Sequence, residues 1–169
     1  TMLPSGKEVI AVYNEIIDKC DSSTIMVDCS TIDIKSSRLI ADLSKKNGLL
    51  TLDAPVSGGV VGAVNGTLTF MIGGDESAFK KMKPLFEVMG KKAVYCGDSG
   101  SGQAAKMCNN MILGISMIGV CESFTLAKKI GLDLEKLYEV SSNSSGSCWA
   151  LNTYCPAPDI GPETPADKN

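Results

Sequence analysis

One lysine and one asparagine have a spacing that could support acid/base chemistry. Lys106 and Asn110 are four residues apart, so on a helix they share one face. Their neighbours are mostly apolar, and a buried ammonium without a partner is costly unless it loses its proton. Partial burial lowers the pKa of a lysine and makes it usable as an acid or base. Lys106 is therefore a candidate acid/base and Asn110 a candidate substrate ligand. The alternative is a surface lysine whose stem lies along an apolar surface.

A second candidate is the turn Ser57-Gly58-Gly59, which follows a predicted strand and Pro55. Glycine allows close approach of the backbone to a ligand, and successive N–H groups can form an anion-binding nest. With the Ser57 hydroxyl as a further donor, the turn could hold a carboxylate. A purely structural turn is the alternative.

The composition excludes several other kinds of site. The chain has no histidine, so a Ser-His-Asp triad and a His-ligated metal site are impossible, and we expect no metal. Its 7 cysteines form no C-x-x-C pair, which favours reduced thiols over a disulfide framework. The net charge of -3 and the scattered basic residues disfavour a nucleic-acid partner. The uncharged stretch from Met107 to Cys121 is shorter than the ~20 residues of a membrane span, so we expect a buried core helix and no membrane partner.

Helices and strands alternate along the first third of the chain, which predicts a parallel α/β sheet. Only two strands precede Asp53, and no G-x-G-x-x-G loop occurs, so the sheet is expected to be incomplete. The predicted helices are 7–19, 34–46, 76–89, 103–130 and 133–141, and the predicted strands are 24–29, 49–52, 67–72 and 93–96.

Two segments together resemble the β-hydroxyacid dehydrogenase family. Asp53-Ala-Pro-Val-Ser-Gly-Gly, followed by Gly66-Thr-Leu, is similar to the substrate-binding segment of that family. Gly97-x-x-Gly100-x-Gly102-x-x-x-Lys106-x-x-x-Asn110 is similar to its catalytic-lysine segment. Both occur in the expected order with a strand-helix-strand unit between them, and the likeness covers nearly the whole chain.

The resemblance implies an α/β fold: the second half of a doubly wound Rossmann-type domain, followed by the first helices of an all-α domain. Residues 1–102 would be the C-terminal part of the dinucleotide-binding domain. Residues 103–143 would be the long linking helix and the start of the all-α domain, and residues 144–169 a Pro/Ser-rich tail of loop or disorder.

The resemblance also implies an NAD-dependent enzyme that oxidises 3-hydroxyisobutyrate to methylmalonate semialdehyde in valine degradation. Lys106 would take the hydroxyl proton, in its neutral form or through a relay. The implied substrate-binding residues are Ser57, Gly58, Gly59, Lys106 and Asn110, and the implied cofactor-binding residues are Leu3, Pro4 and Thr31. The implied location is the mitochondrial matrix in a eukaryote and the cytoplasm otherwise, and the implied assembly is a homo-oligomer.

Two alternatives stay open. One is a related short-chain β-hydroxyacid dehydrogenase, such as a tartronate semialdehyde reductase. The other is a non-catalytic fragment unable to bind cofactor, because the resemblance implies a chain shortened at both ends. Such shortening would leave apolar residues of the long helix uncovered, namely Met107, Met111, Ile112, Ile115, Ile118 and Val120.

Overall fold

The computed structural model describes residues 1–163 of the 169-residue chain. The strands are β1 (Ile25–Asp28), β2 (Leu50–Asp53), β3 (Val56–Ser57), β4 (Leu68–Gly74) and β5 (Gly90–Gly97). The helices are α1 (Gly6–Ile16), α2 (Ile34–Lys46), α3 (Gly59–Val64), α4 (Glu76–Met89), α5 (Ser101–Ile130), α6 (Leu134–Ser142) and α7 (Trp149–Asn152). A single 3-10 turn, Ile17–Lys19, follows α1. The chain divides into two compact units, Thr1–Cys108 and the part from Asn109 onward.

The five strands form one mixed sheet. β1 pairs with β2 in parallel, and β4 pairs with β5 in parallel, as the alternation of helices and strands predicts. The parallel sheet predicted for the first third of the chain is confirmed by β1 and β2, and the sheet becomes mixed beyond it, because β2 and β3 both run antiparallel to β4. The connection from β3 to β4 contains only the six-residue helix α3. A parallel return needs a crossover of about a dozen or more residues, so the short connection produces a hairpin-like reversal.

Local capping chemistry sets the starts of the amphipathic helices. Asp33, Asp75 and Asp133 have extended backbones and accept an N–H from the third residue of the helix that follows them. An aspartate at this position satisfies one of the unpaired N–H groups of the first turn and complements the helix dipole. The helix start that the sequence predicts around residue 33 is confirmed.

The first unit has a core on each face of its sheet. One cluster packs α1 and α2 against β1, with Val9, Tyr13 and Met26 fully or nearly buried. The other packs α4 against β2 and β4, with Leu52 and Phe70 at its centre. Helices on both faces of the sheet are the arrangement of a doubly wound domain, so the α/β fold class is confirmed.

The second unit has its own small core, to which part of the predicted tail contributes. Phe124 of α5 packs with Ala150, Leu151 and Cys155, all of which are buried. Residues 144–163 are irregular structure with one short helix, α7, in which residues 144–147 are exposed and Ala150, Leu151 and Cys155 are buried. The remainder of the predicted tail, residues 164–169, lies outside the described residues.

Most of α5 is not the buried core helix that its composition suggests. Ile112, Ile115 and Ile118 are 64–67% exposed. Met107 and Met111 are exposed as well, while Val120, expected to be uncovered, is buried. By length and composition α5 could cross a membrane. Core helices of globular proteins share this property, so it is weak evidence of a membrane span.

Candidate functional site

The buried carboxylate of Asp53 holds the start of α5. Asp53 ends β2, and its Oδ1 accepts the N–H of Gly100 at 2.7 Å while its Oδ2 accepts the N–H of Gln103 at 3.0 Å. Burial raises the pKa of the Asp53 carboxyl, and the N–H donors of Gly100 and Gln103 oppose that rise. A single side chain thereby anchors the first turn of α5 to the carboxyl end of β2.

Glycines make this close approach possible. Gly97 and Gly100 have φ of 121° and 87°, values that side-chain-bearing residues rarely adopt. A Cβ on Gly102 would stand 2.3 Å from the carbonyl oxygen of Met71 and 2.7 Å from Asp53 Oδ2. The glycine spacing singled out in the sequence therefore lets α5 begin directly against β4 and β2.

Gln103 connects α5 to the loop that follows β1. Its Nε2 donates to the carbonyl oxygen of Ser30 at 2.7 Å, and its Oε1 accepts the N–H of Ile32 at 3.1 Å. The side chain is almost fully buried. Because both amide atoms are paired with backbone, the loop around Thr31 and the first turn of α5 are held at one separation.

Lys106 follows Gln103 by three residues on the same helix. Its side chain is half-buried, and burial lowers the pKa of its ammonium below the ordinary value. Within residues 1–163 it has no ion pair and no side-chain hydrogen bond. A half-buried amine with a lowered pKa and no partner can exchange a proton with a ligand.

The turn Ser57-Gly58-Gly59 lies at the end of β3. Ser57 pairs with Thr69 of β4, and Gly58 and Gly59 have φ of 131° and 60°. Both glycines are exposed. At Gly58 and Gly59 the turn therefore presents backbone to solvent, beside the partly exposed side chain of Ser57.

β4 connects this turn to α5. Met71 donates its N–H to the carbonyl oxygen of Pro55 at 3.0 Å, and its own carbonyl oxygen lies against Gly102. Pro55 and Gly102, which belong to the two motifs, thus approach the N–H and the carbonyl oxygen of the same β4 residue, Met71. In the part of the chain that the structure describes, no hydrogen bond joins Lys106 to Ser57. Asn110, four residues after Lys106 on α5, is exposed.

The residues that the resemblance assigns to the cofactor belong to two segments, 3–4 and the loop after β1, which a hydrogen bond joins at the carboxyl end of β1. Leu3 donates its N–H to Ser30 Oγ at 2.8 Å, next to Thr31 in the chain. Leu3 is half-buried, whereas Pro4 and Thr31 are exposed. The Ser30 hydroxyl in turn donates to Asp28 Oδ1 at 2.5 Å. These contacts fix the chain start beside the loop that Gln103 ties to α5.

Sequence reasoning treated Asp53 only as part of a motif and assigned no role to Gln103. One signal was available for each: a carboxylate at the end of a buried strand, and an amide side chain directly before two alanines in the first turns of a helix. Neither signal identifies its partners, because the contacts join residues that are 47 to 73 positions apart.

Comparison with known proteins confirms the resemblance. Residues 1–97 match the family model described as the NAD binding domain of 6-phosphogluconate dehydrogenase. Residues 100–161 match the model described as the NAD-binding domain of NADP-dependent 3-hydroxyisobutyrate dehydrogenase. The first match covers more than half of the chain, so the chain belongs to this family of NAD-binding dehydrogenase domains.

Among curated relatives, the chain is similar to proteins named 3-hydroxyisobutyrate dehydrogenase. It is 44% identical over 169 residues to the probable enzyme of Mycobacterium tuberculosis, covering all of this chain and 58% of that protein. It is 47% identical over 173 residues to the mitochondrial enzyme of Drosophila melanogaster, covering all of this chain and 52% of that protein. The chain therefore spans a little over half the length of these relatives.

Solved structures of related proteins are also similar to this chain. The Mycobacterium tuberculosis 3-hydroxyisobutyrate dehydrogenase with L-serine has a TM-score of 0.94 at 44% identity, over 99% of this chain and 58% of that one. Psf3, in complex with NADP+ and 2-OPP, has a TM-score of 0.73 at 27% identity, over 86% of this chain and 52% of that one.

Proposed function

We propose that this chain supplies the catalytic lysine and the substrate turn of a nicotinamide-dependent oxidoreductase that converts 3-hydroxyisobutyrate to methylmalonate semialdehyde. The observation that supports this most strongly is the Gln103 bridge, which ties the loop around Thr31 to the helix that bears Lys106. The family models and the names of the relatives favour the same reaction class.

The residues at the carboxyl end of β1 fit the nicotinamide half of the cofactor. Leu3 and Pro4 offer apolar surface there, and Thr31 offers an exposed hydroxyl. Ligands of open α/β sheets bind at the carboxyl ends of the strands, the edge at which Asp28 and Asp53 are register partners. When bound, a nicotinamide supplies the acceptor for a hydride.

Lys106 acts as the acid/base in this proposal. During oxidation, the substrate hydroxyl gives its proton to the neutral Nζ, directly or through a relay. The carbon–oxygen bond becomes a carbonyl as the carbon–hydrogen bond breaks, and its electron pair leaves with the hydrogen as hydride. Burial lowers the pKa of Lys106, so a larger share of the amine is neutral and able to accept the proton.

The turn at Ser57 binds the substrate carboxylate in this proposal. The Ser57 hydroxyl and the exposed backbone of Gly58 and Gly59 provide donors without a side chain to obstruct an anion. Asn110, on the helix face of Lys106, positions the substrate. A carboxylate held at the turn would orient a β-hydroxyl for proton transfer.

The proposed setting is valine degradation by a homo-oligomer. Relatives from Drosophila melanogaster and Mus musculus are named mitochondrial, so for a eukaryotic source we propose the mitochondrial matrix. For a bacterial source we propose the cytoplasm.

Two measurements test the proposal. Calorimetric titration of the chain with NAD and NADP measures whether it binds cofactor by itself; no binding would favour the fragment alternative for the isolated chain. Turnover is measured in a hybrid enzyme, in which this chain replaces the matching 169 residues of the Mycobacterium tuberculosis relative.

The hybrid enzyme is then given 3-hydroxyisobutyrate, tartronate semialdehyde with reduced cofactor, and a simple alcohol. The expected result is the highest kcat/KM for 3-hydroxyisobutyrate. A hybrid enzyme that prefers tartronate semialdehyde would favour the related reductase, and a folded hybrid enzyme without turnover on any of them would contradict the proposal.

A further inference from the structure

We propose that Gln103 is a positioning residue, which sets the separation between the cofactor-side loop around Thr31 and the Nζ of Lys106. The inference rests on the proposed function but assigns a new role to a residue that would not itself touch substrate.

Both polar atoms of the Gln103 amide form hydrogen bonds to the backbone of the same loop. Nε2 donates to the carbonyl oxygen of Ser30 at 2.7 Å, and Oε1 accepts the N–H of Ile32 at 3.1 Å. These two backbone groups flank Thr31. The amide therefore fixes the backbone on both sides of Thr31, which a single hydrogen bond would leave free to pivot.

The backbone of Gln103 is fixed as well. Its N–H donates to Asp53 Oδ2 at 3.0 Å, while Gly102 packs against the carbonyl oxygen of Met71. The sheet therefore holds the backbone of Gln103, and the loop holds its side-chain amide. Lys106 follows one turn later on the same helix. The distance between Lys106 and Thr31 therefore depends on the hydrogen bonds of Gln103.

The distance between Lys106 and the loop around Thr31 matters for the proposed reaction. Hydride and proton must leave neighbouring atoms of one substrate, so the two groups that receive them must be held at a compatible distance. A misplacement of about 1 Å can lower the rate of such a step by about 10²-fold. A loosened bridge should therefore slow hydride transfer more than it weakens substrate binding.

Gln103→Leu removes both hydrogen bonds at similar volume and is tested in the hybrid enzyme. We expect kcat to fall by at least about tenfold. KM for 3-hydroxyisobutyrate should change by less than about threefold, because the Ser57 turn is untouched. The primary deuterium isotope effect at the oxidised carbon should rise, because hydride transfer becomes more rate-limiting. Calorimetry should show weaker binding of the cofactor, independently of turnover.

Tyr95→Phe is the matched control. The Tyr95 hydroxyl donates to the carbonyl oxygen of Gly74 at 2.9 Å, so the variant also loses a side-chain hydrogen bond to backbone in the first unit. Tyr95→Phe should lower the melting temperature without changing the isotope effect. An unchanged isotope effect and a kcat within about twofold of the parent for Gln103→Leu would overturn the inference.

Gln103→Glu keeps the inference testable if the leucine variant does not fold. When protonated, the new carboxyl can donate to the Ser30 carbonyl and accept from Ile32, whereas the ionised form repels that carbonyl. The ratio of variant to parent kcat should therefore rise as pH falls. A ratio independent of pH would overturn the inference.

Failure of the proposed function has a different signature. If Lys106→Ala retains the parent's kcat, or the parent lacks turnover, both the proposed function and this inference are wrong. If Lys106→Ala is inactive and Gln103→Leu is normal, only the inference is wrong.

Discussion

Asp53 and Gly102 stand so close that a Cβ on Gly102 would lie 2.7 Å from Asp53 Oδ2. The same Cβ would lie 2.3 Å from the carbonyl oxygen of Met71, which belongs to a buried strand and cannot move aside cheaply. The absence of a side chain at position 102 is thus what lets the start of α5 reach the sheet.

Gly102→Ala is therefore expected to lower the free energy of unfolding by about 1–3 kcal/mol, the usual range for overpacking a core. Gly114→Ala is the control, because Gly114 lies in the same helix with nothing within 4 Å of its built Cβ. That variant should be neutral or stabilise by up to about 1 kcal/mol through helix propensity. Urea unfolding of both variants decides the matter, and equal effects would contradict the close-packing argument.

Lys106→Ala should lower kcat of the hybrid enzyme by at least about 10²-fold, the scale of lost acid/base catalysis. Cofactor affinity should barely change. Lys128→Ala is the control, because Lys128 is an exposed lysine in the last turn of α5. Steady-state kinetics and calorimetry measure the two effects, and a near-normal kcat for Lys106→Ala would exclude the assignment.

The pKa of Lys106 predicts a pH dependence of activity. In the proposed reaction the neutral amine accepts the hydroxyl proton, so kcat/KM should rise with pH through an apparent pKa below the ordinary lysine value of about 10.4. Lys106→Arg should abolish this rise, because a guanidinium stays charged. A rate profile that is the same for the parent and for Lys106→Arg would contradict the prediction.

The same shift predicts a pH dependence of stability. A lysine whose folded pKa lies below its unfolded pKa binds fewer protons when folded, so stability rises with pH between the two values. The penalty is present below the folded pKa and is relieved above the unfolded one. Lys106→Met should remove this part of the rise, measured as the difference in unfolding midpoint across mildly to strongly alkaline pH. If the unfolding midpoints of the parent and Lys106→Met change with pH in parallel, burial of the ammonium does not affect stability.

Gly58→Val should strongly reduce kcat/KM for 3-hydroxyisobutyrate. The φ of Gly58 is 131°, and a Cβ there would lie 3.2 Å from Leu68 Cδ2, so the turn must distort. Gly48→Val, at a φ of 73° with nothing within 4 Å of its Cβ, introduces backbone strain away from the turn. It should lower stability but spare kcat/KM. A parent that oxidises the acid and a neutral alcohol equally well would mean that the turn is only structural.

The exposed apolar residues of α5 predict self-association of the isolated chain. Ile112, Ile115 and Ile118 lie on this helix and are about two-thirds exposed. Light scattering should detect oligomers or aggregates, and replacing Ile112 and Ile115 together by Lys should shift the chain toward the monomer. Replacing Val60 and Val64, exposed valines of α3, is the control. A monomeric parent at high concentration would contradict this prediction.

Much of the secondary structure could be predicted because its causes are local. Apolar periodicity and capping aspartates such as Asp33 and Asp75 act within one or two turns, and the structure confirms both helices that they begin. The short helix α3 and the strand β3 were missed, since two to six residues in a glycine-rich segment carry almost no periodic signal.

By itself, the sequence determined the order of the longer helices and strands, the absence of histidine chemistry, and the spacing that makes Lys106 a candidate acid/base. The tertiary structure alone decided that β4 reverses against β2, that α5 leaves apolar residues exposed, and that Asp53 and Gln103 anchor the start of α5. These outcomes depend on contacts between residues dozens of positions apart. Such contacts follow from how the chain packs, because a hydrogen bond across 50 or 73 residues leaves no periodic trace in either segment it joins.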